Sequence, residues 1–218
     1  MGWALDAKNN SIDRIFSKKK NPVELQWIQR ILESIVKPET TNLTGKLLLA
    51  HPALRDPNFR HSIVYLTKHD VLTGALGFII NRPIAQTFKD LGLSEISPLL
   101  GQAKLHLGGP VATDNILLAM FEWDALTRKL TMHHSTKNSS EELELLDPTR
   151  TIALIGYAGW TEGQLEEEIT QNTWLILDSE DVQEDLLHAD DSTWKKLVSR
   201  IDPRLRLLAE MPADPSLN

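Results

Sequence analysis

The sequence predicts a domain that mixes short buried strands with helices, and three stretches carry that prediction. Residues 45–83 hold three apolar runs, Leu47 to Leu49, Ile63 to Leu66 and Leu76 to Ile80, each bounded by Gly, Pro, Asn or Asp. Unbroken runs of Leu, Ile and Val between turn residues are how strands covered on both faces read. Residues 151–177 combine both element types: Thr151 to Tyr157 as a strand, Ala158 to Trp160 as a turn, a short helix, then Trp174 to Leu177 as a returning strand. Residues 116–133 read as a hairpin, with Ile116 to Trp123 and Lys129 to His133 around Asp124-Ala125-Leu126-Thr127.

In chain order, residues 1–20 mix Asn, Ser and a lysine run with isolated apolar residues and predict little order. Asn21, Pro22 and Glu24 supply an N-cap, a first-turn proline and a reciprocal acidic cap, so a helix starts there. Val23, Trp27, Ile28, Ile31, Leu32 and Ile35 share one face of it, and Lys37-Pro38 ends the pattern. This amphipathic stripe at 22–36 either docks on the core or takes a partner. After Pro83, Ala85 to Leu91 reads as a short helix or loop, and Leu105 to Leu107 leads into a Gly108-Gly109-Pro110 turn. Ser139 to Leu146 reads as an acidic helix, and Thr161 with Gln164 has the spacing of a capping box, opening a helix at Thr161. In that helix Leu165 and Ile169 point inward while Glu166, Glu167 and Glu168 face mostly outward. Asp181 to His188 and Ser192 to Ile201 are further helices, and the tail 212–218 frays. The domain division is 1–42 as an N-terminal extension, 43–211 as the main domain, and the tail.

Composition excludes several functions. The chain has 218 residues and no cysteine, which removes disulfides, thiolate nucleophiles and cysteine metal sites. No run approaches the ~18 apolar residues a membrane span needs, and the N-terminus lacks a secretory apolar core. A cytoplasmic setting is the simplest reading. The formal net charge is −7, with residues 1–42 at +2 (seven basic, five acidic) and residues 141–185 at −12 (thirteen acidic, one basic). Because neutralised phosphates dominate nucleic-acid affinity, direct nucleic-acid binding is not expected.

The common reactive motifs are missing: no G-x-S-x-G elbow, H-E-x-x-H helix, Walker loop or G-x-G-x-x-G turn occurs. No cofactor and no metal is expected. His51, Asp56 and His61 could be imagined as ligands, but their spacing matches no ligand pattern, and Asp56 reads equally as the cap of its own Asp-Pro-Asn turn. Asn81-Arg82-Pro83 at a strand end is either an anion clamp or a strand end whose arginine pairs with a surface acid. Tyr157 and Trp160 either wall an apolar pocket or are core, and Gln164 either lines it or only caps a helix.

Several of these stretches, taken together, resemble one family. L-L-A-x-P at 48–52, D-P-N-F-x-x-S-x-V-Y-L at 56–66, G-A-x-G-x-I-I-N-R-P at 74–83, Gly108-Gly109-Pro110-Val111, G-Y-A-G-W-x-x-G-Q-L-E at 156–166 and N-x-W-L at 172–175 look like the YqgE/AlgH family of bacterial proteins. The resemblance implies an α+β domain, a complex fold whose largely antiparallel, bifurcated sheet curls into a pseudo-barrel with helices packed outside. It implies no established enzymatic activity, and a transcriptional-regulator role attached to AlgH by name. Residues 1–42 have no counterpart in typical members. Thr67-Lys68-His69 stands where many members read C-E-H, and Ala119-Met120 stands where a histidine is often seen.

The motif residues Asp56, Asn58, Asn81, Arg82, Gly108, Gly109, Tyr157, Trp160 and Gln164 are the candidate ligand-binding set, expected to converge where a curled sheet brings strand ends together. Such a patch of amides, one arginine and two aromatics recognises a ligand and lacks an acid, base and nucleophile triad. The expected function is therefore a non-enzymatic binding or regulatory module for a small polar or anionic ligand or a protein segment. The alternative is a hydrolase or transferase with Asp56 or His61 as base. Expected partners are a small molecule or protein, with no membrane, and either a homo-oligomer or docking through helix 22–36.

Overall fold

The computed structural model describes residues 42–87, 89–91, 101, 103–127, 129–134, 146–179, 182 and 186–211. The expected helix at 22–36, residues 139–145 of the expected helix 139–146, the tail 212–218 and half of the expected helix 181–188 lie outside the described residues; Leu146 is a bend, and Leu186–His188 is a 3-10 turn.

Nine strands form one mixed sheet: β1 (Leu47–Ala50), β2 (Ile63–Asp70), β3 (Gly74–Ile79), β4 (Pro83–Thr87), β5 (Lys104–Leu107), β6 (Val111–Asp124), β7 (Lys129–His134), β8 (Thr151–Trp160) and β9 (Trp174–Leu177). Among the described residues three α-helices accompany it, α1 (Gln164–Thr170), α2 (Asp191–Ile201) and α3 (Arg206–Glu210). The main path runs β4-β5-β8-β3-β2-β1-β9, with the β6–β7 hairpin attached to β8. All pairings are antiparallel except β5 with β8. The class is α+β, and the sheet curls into a half-barrel.

The apolar runs of β1 and β2 are continuous because both faces are covered. Leu47, Leu49, Ile63 and Tyr65 face a core that includes Trp194, Leu197 and Val198 of α2. Leu48, Ala50, Val64 and Leu66 face the opposite core, with Trp160, Leu165 and Trp174. Successive strand residues point to opposite sides, so neither face tolerates a polar residue here.

β8 is the branch point. Its first half lies between β5 and β6, and its last three residues pair with β3, Ala158 to Gly77, Gly159 to Leu76 and Trp160 to Ala75. Ala158 to Trp160 is therefore strand and not the expected turn; the switch of partner occurs at Gly156, whose φ is 68°. A Cβ at Gly109 would sit 2.1 Å from the Tyr157 carbonyl carbon, so the two backbones pass too closely for any side chain.

Pro83–Thr87 forms β4, because β5 offers it an open edge, so the helix-or-loop reading of 85–91 is corrected over 85–87, while Lys89–Leu91 is a short 3-10 helix as that reading allowed. Helix α1 opens at Gln164, three residues after the expected start. Gly163 takes the N-cap in the left-handed region, and Gln164 Oε1 accepts from the Thr161 N–H and hydroxyl. Helix α2 carries a reciprocal box between Asp190 and Thr193. In the core, the Tyr65 hydroxyl donates to the Leu130 carbonyl of β7 at 3.1 Å and Tyr65 meets Phe121 edge-on at 5.6 Å. The Leu130 N–H reaches Ser179 Oγ just beyond β9, tying the hairpin branch back to the main path.

Candidate functional site

The segment 56–62 is a compact double turn. Asp56 Oδ1 accepts from the N–H groups of Asn58 and Phe59 at 2.8 and 3.2 Å, the Asp56 carbonyl accepts from Arg60, and Phe59 accepts from Ser62. Asn58 is exposed on the outside of this turn. The turn delivers His61 into β2 with φ at 58°. A left-handed conformation costs a non-glycine residue free energy and persists only where its surroundings hold it.

Three contacts hold His61. Its ring stacks on Trp194 at 4.1 Å and 17°, and Trp194 is fixed by donating from Nε1 to the Ala50 carbonyl. Its Nδ1 lies 2.7 Å from Asp191 Oδ1. Its carbonyl accepts from Asn81 Nδ2 at 2.8 Å. Asn81 is buried and also bonds the Ile63 N–H through Oδ1 and the Asp190 carbonyl through Nδ2. Asn81 thereby clamps the His61 turn to the start of α2, the element that supplies Asp191.

An ionised carboxylate only accepts, so the proton of a neutral imidazole sits on Nδ1 and leaves an acceptor lone pair on Nε2. His61 Nε2 has no hydrogen-bond partner among the described residues and is not one of the buried unpartnered atoms. Asp191 Oδ2 meets Lys195 Nζ at 2.6 Å. Partial burial pushes the Asp191 carboxyl up, but the hydrogen bonds from Lys195 and His61 outweigh it and hold the group below its ordinary value.

Two arginines belong to the same turn: Arg60 precedes His61 in the chain, and Arg82 reaches the Arg60 carbonyl. Arg82 Nη2 donates to the Arg60 carbonyl, the peptide leading into His61, at 2.9 Å. Burial and then repulsion from Arg60 lower the Arg82 pKa, with attraction from Asp56 acting the other way. Asp56, Asn81 and Arg82 therefore do come together, around His61.

The other candidates serve different neighbourhoods. Trp160 and Trp174 are buried, and both indole N–H groups donate to Glu168 Oε2, at 2.9 and 2.7 Å. Gln164 Nε2 donates to Glu168 Oε1. Phe59 closes the group, 6.3 Å from Trp160 and 5.7 Å from Trp174. The three rings pack against one another around a carboxylate, so the spacing reading of Glu168 as outward-facing is corrected: it turns in to accept the indoles. Glu166 turns in as well, to His69 Nε2 at 2.8 Å, while His69 Nδ1 accepts from the Leu43 N–H. Gly108, Gly109 and Tyr157 stand at the close backbone crossing beside β8, where Gly108 N–H donates to Ile155 and its carbonyl accepts from Ile79.

Sequence reasoning missed Asp191 and Trp194, 130 and more residues from His61, and carried no signal for them beyond the helix that holds both. It also missed His106. That ring is fully buried, donates from Nδ1 to the Ile80 carbonyl and leaves Nε2 without a partner. Burial drives its pKa down to about 4. Among the described residues no group of three His, Asp or Glu side chains is placed to hold a metal ion, and His51 Nδ1 accepts from the Ala53 N–H of its own turn. No helix among them is long and apolar enough to cross a membrane.

Comparison with known proteins places this geometry in a family. A UPF0301 protein of Streptomyces coelicolor is 35% identical over 193 residues, covering 83% of this chain and 97% of that protein. A UPF0301 protein of Ralstonia nicotianae is 39% identical over 150 residues, 64% of this chain and 78% of its own. The solution structure of the AlgH protein from Pseudomonas aeruginosa superposes with a TM-score of 0.55 at 26% identity, covering 81% of this chain and 97% of that one. A crystal structure from Corynebacterium diphtheriae, at 17% identity and a TM-score of 0.59 over 83% of this chain and 97% of that one, shares the fold. With the AlgH-like family model matching residues 47–206, the chain belongs to the AlgH-like family.

Proposed function

We propose that this chain is a non-enzymatic binding module whose ligand presents an anionic group, a carboxylate or a phosphate, to Arg60 and Arg82. The observation that carries the reading is the state of Arg82. Its half-buried guanidinium lies beside a like charge, and Asp56, the acid in its surroundings, has one oxygen engaged by two backbone N–H groups. Planar guanidiniums recognise carboxylate and phosphate through paired hydrogen bonds, and an anion here would relieve the Arg60–Arg82 repulsion. Calorimetric titration of the full chain with inorganic pyrophosphate and with a dicarboxylate tests it. Binding that Arg82→Gln weakens by about tenfold, the loss of one charge-assisted contact, supports the reading; the absence of binding by either anion to the native chain refutes it.

A regulatory role of the kind attached to the family name would then work through the bound ligand or a protein partner, since the −7 charge opposes approach to nucleic acid. A cytoplasmic setting and partner docking through residues 22–36 belong to the same proposal.

The His61–Asp191 pair favours one second reading, a hydrolase or transferase with His61 as base. Asp56 is the poorer base, because its Oδ1 is engaged in its own turn. Hydrolysis of a phosphoester or carboxyl-ester panel that survives Asp56→Asn and is abolished by His61→Gln would establish that reading over the first.

A further inference from the structure

We infer that His61 is a phosphoryl-accepting side chain, its Nε2 taking the phosphoryl group of a small donor with a good leaving group, an acyl phosphate or a phosphoramidate. The inference rests on the anion-binding reading above and specifies both the ligand class and the fate of the ligand.

A nitrogen nucleophile needs a free lone pair, a fixed direction and a nearby positive charge to receive the phosphoryl oxygens. His61 has each. The carboxylate of Asp191 at 2.7 Å holds the proton on Nδ1 and leaves the lone pair on Nε2. The stack on Trp194 sets the ring plane, and Asn81 ties the His61 backbone to the residue preceding Asp191. The Arg82 guanidinium is bonded to the carbonyl immediately before His61, and Arg60 is the residue that owns that carbonyl. The backbone at φ 58° is the sort of held, costly conformation that collects at working sites.

Five of the other six histidines differ in a way the chemistry would register. His69 has both ring nitrogens engaged, and His106 is buried. His51 accepts a backbone N–H on Nδ1, which puts its proton on Nε2. His133 has its Nε2 turned to Glu122 at 3.2 Å, and His134 is exposed.

The transfer balances without an oxidant or reductant. The Nε2 lone pair attacks phosphorus and the Nε2–P bond forms. The bond from phosphorus to the donor's leaving atom breaks, and its electron pair departs with the carboxylate of an acyl phosphate or the ammonia of phosphoramidate. The imidazole becomes cationic, and its Nδ1 proton stays in the hydrogen bond to Asp191. Lys195 on the other Asp191 oxygen keeps that carboxylate ionised and oriented. Asp191 is thus a positioning residue.

The test is incubation of the full chain with phosphoramidate at neutral pH, followed by 31P NMR and peptide mapping, with phosphate calorimetry in parallel. We expect phosphorylation on Nε2 of His61 at least about tenfold faster than at exposed His134, an advantage of the size that orientation and a nearby cation give a nucleophile. Asp191→Asn lowers the His61 rate and shifts its pH profile while the His134 rate is unchanged, an effect that a change in global fold would not confine to one ring. A His61 rate no greater than that of His134 in the native chain overturns the inference, with no variant needed. Phosphate binding without His61 selectivity refutes this inference alone. Neither phosphate binding nor selectivity refutes this inference and the phosphate form of the binding reading, and selectivity without phosphate affinity supports the nucleophile while leaving the binding module to the dicarboxylate titration.

Discussion

At Asn81 one side chain closes three backbone accounts, accepting from Ile63 and donating to His61 and Asp190. Asn81→Ala leaves the buried Ile63 N–H and the His61 carbonyl without this partner, at about 1–3 kcal/mol for each group not rescued by water, while the Asp190 carbonyl keeps the Trp194 N–H. Urea unfolding should show a clear loss of midpoint, and the His61–Asp191 pair should loosen with it. His106 gives a second residue-scale prediction. Its pKa falls from the ordinary 6.5 to about 4 on folding because burial disfavours the cation. Below about pH 6.5 the unfolded chain therefore takes up a proton that the folded chain refuses until about pH 4. Stability conferred by the neutral ring is full above that window and lost as pH falls through it, by about 3 kcal/mol in total. His106→Leu should flatten the stability-against-pH curve between pH 4 and 6.5, whatever it does to stability at neutral pH.

At the scale of elements, helix α1 is held to the sheet less by its cap than by Glu168, which receives an indole N–H from β8 and another from β9. Glu168→Ala should cost about 2–4 kcal/mol, one unsatisfied buried donor on each strand, and shift tryptophan emission to the red. Gln164→Ala, which removes an exposed contact, should stay within about 0.5 kcal/mol, the range of surface substitutions. A comparable loss in the two variants would show that Glu168 does not organise the indoles. Helix α2 acts through Trp194, fully buried and under His61. Trp194→Ala should destabilise by about 3–5 kcal/mol.

For the whole sheet, the β6–β7 hairpin is held to the main path because it is bonded back to β2 and to the segment after β9. Tyr65→Phe removes the hydroxyl that reaches Leu130 and should cost about 0.5–1.5 kcal/mol, with hydrogen exchange increasing in β7 before the rest of the sheet. Constant protection of β7 would show that ring packing against Phe121 alone keeps the branch in place. The molecule as a whole is acidic, so the Arg60–Arg82 patch works against the global field. Anion binding there should depend on local contact and weaken with added salt only as far as the exposed part of the patch is screened.

Much of the strand framework was legible in the chain because unbroken apolar runs between turn residues have one economical outcome, a strand covered on both faces. β1, β2 and β3, the β6–β7 hairpin, β9 and α2 all follow from patterns a few residues long. Ala158 to Trp160 misled because Ala and Gly mark a turn locally, whereas a strand edge on β3 was waiting for them. Glu168 misled because a charge on an amphipathic helix faces water unless tryptophans on the strands flanking that helix need an acceptor. The motif residues were visible, yet their division of labour was not: Asn81 and Asp56 shape the His61 turn, while Gln164 and Trp160 belong to the Glu168 cluster. By itself the sequence determined the family, the class and the residues worth asking about. Only the tertiary structure decided that His61 meets Asp191 and Trp194, because hydrogen bonds and ring stacks between residues 130 apart depend on how β2 and α2 are packed and leave no periodic trace along the chain.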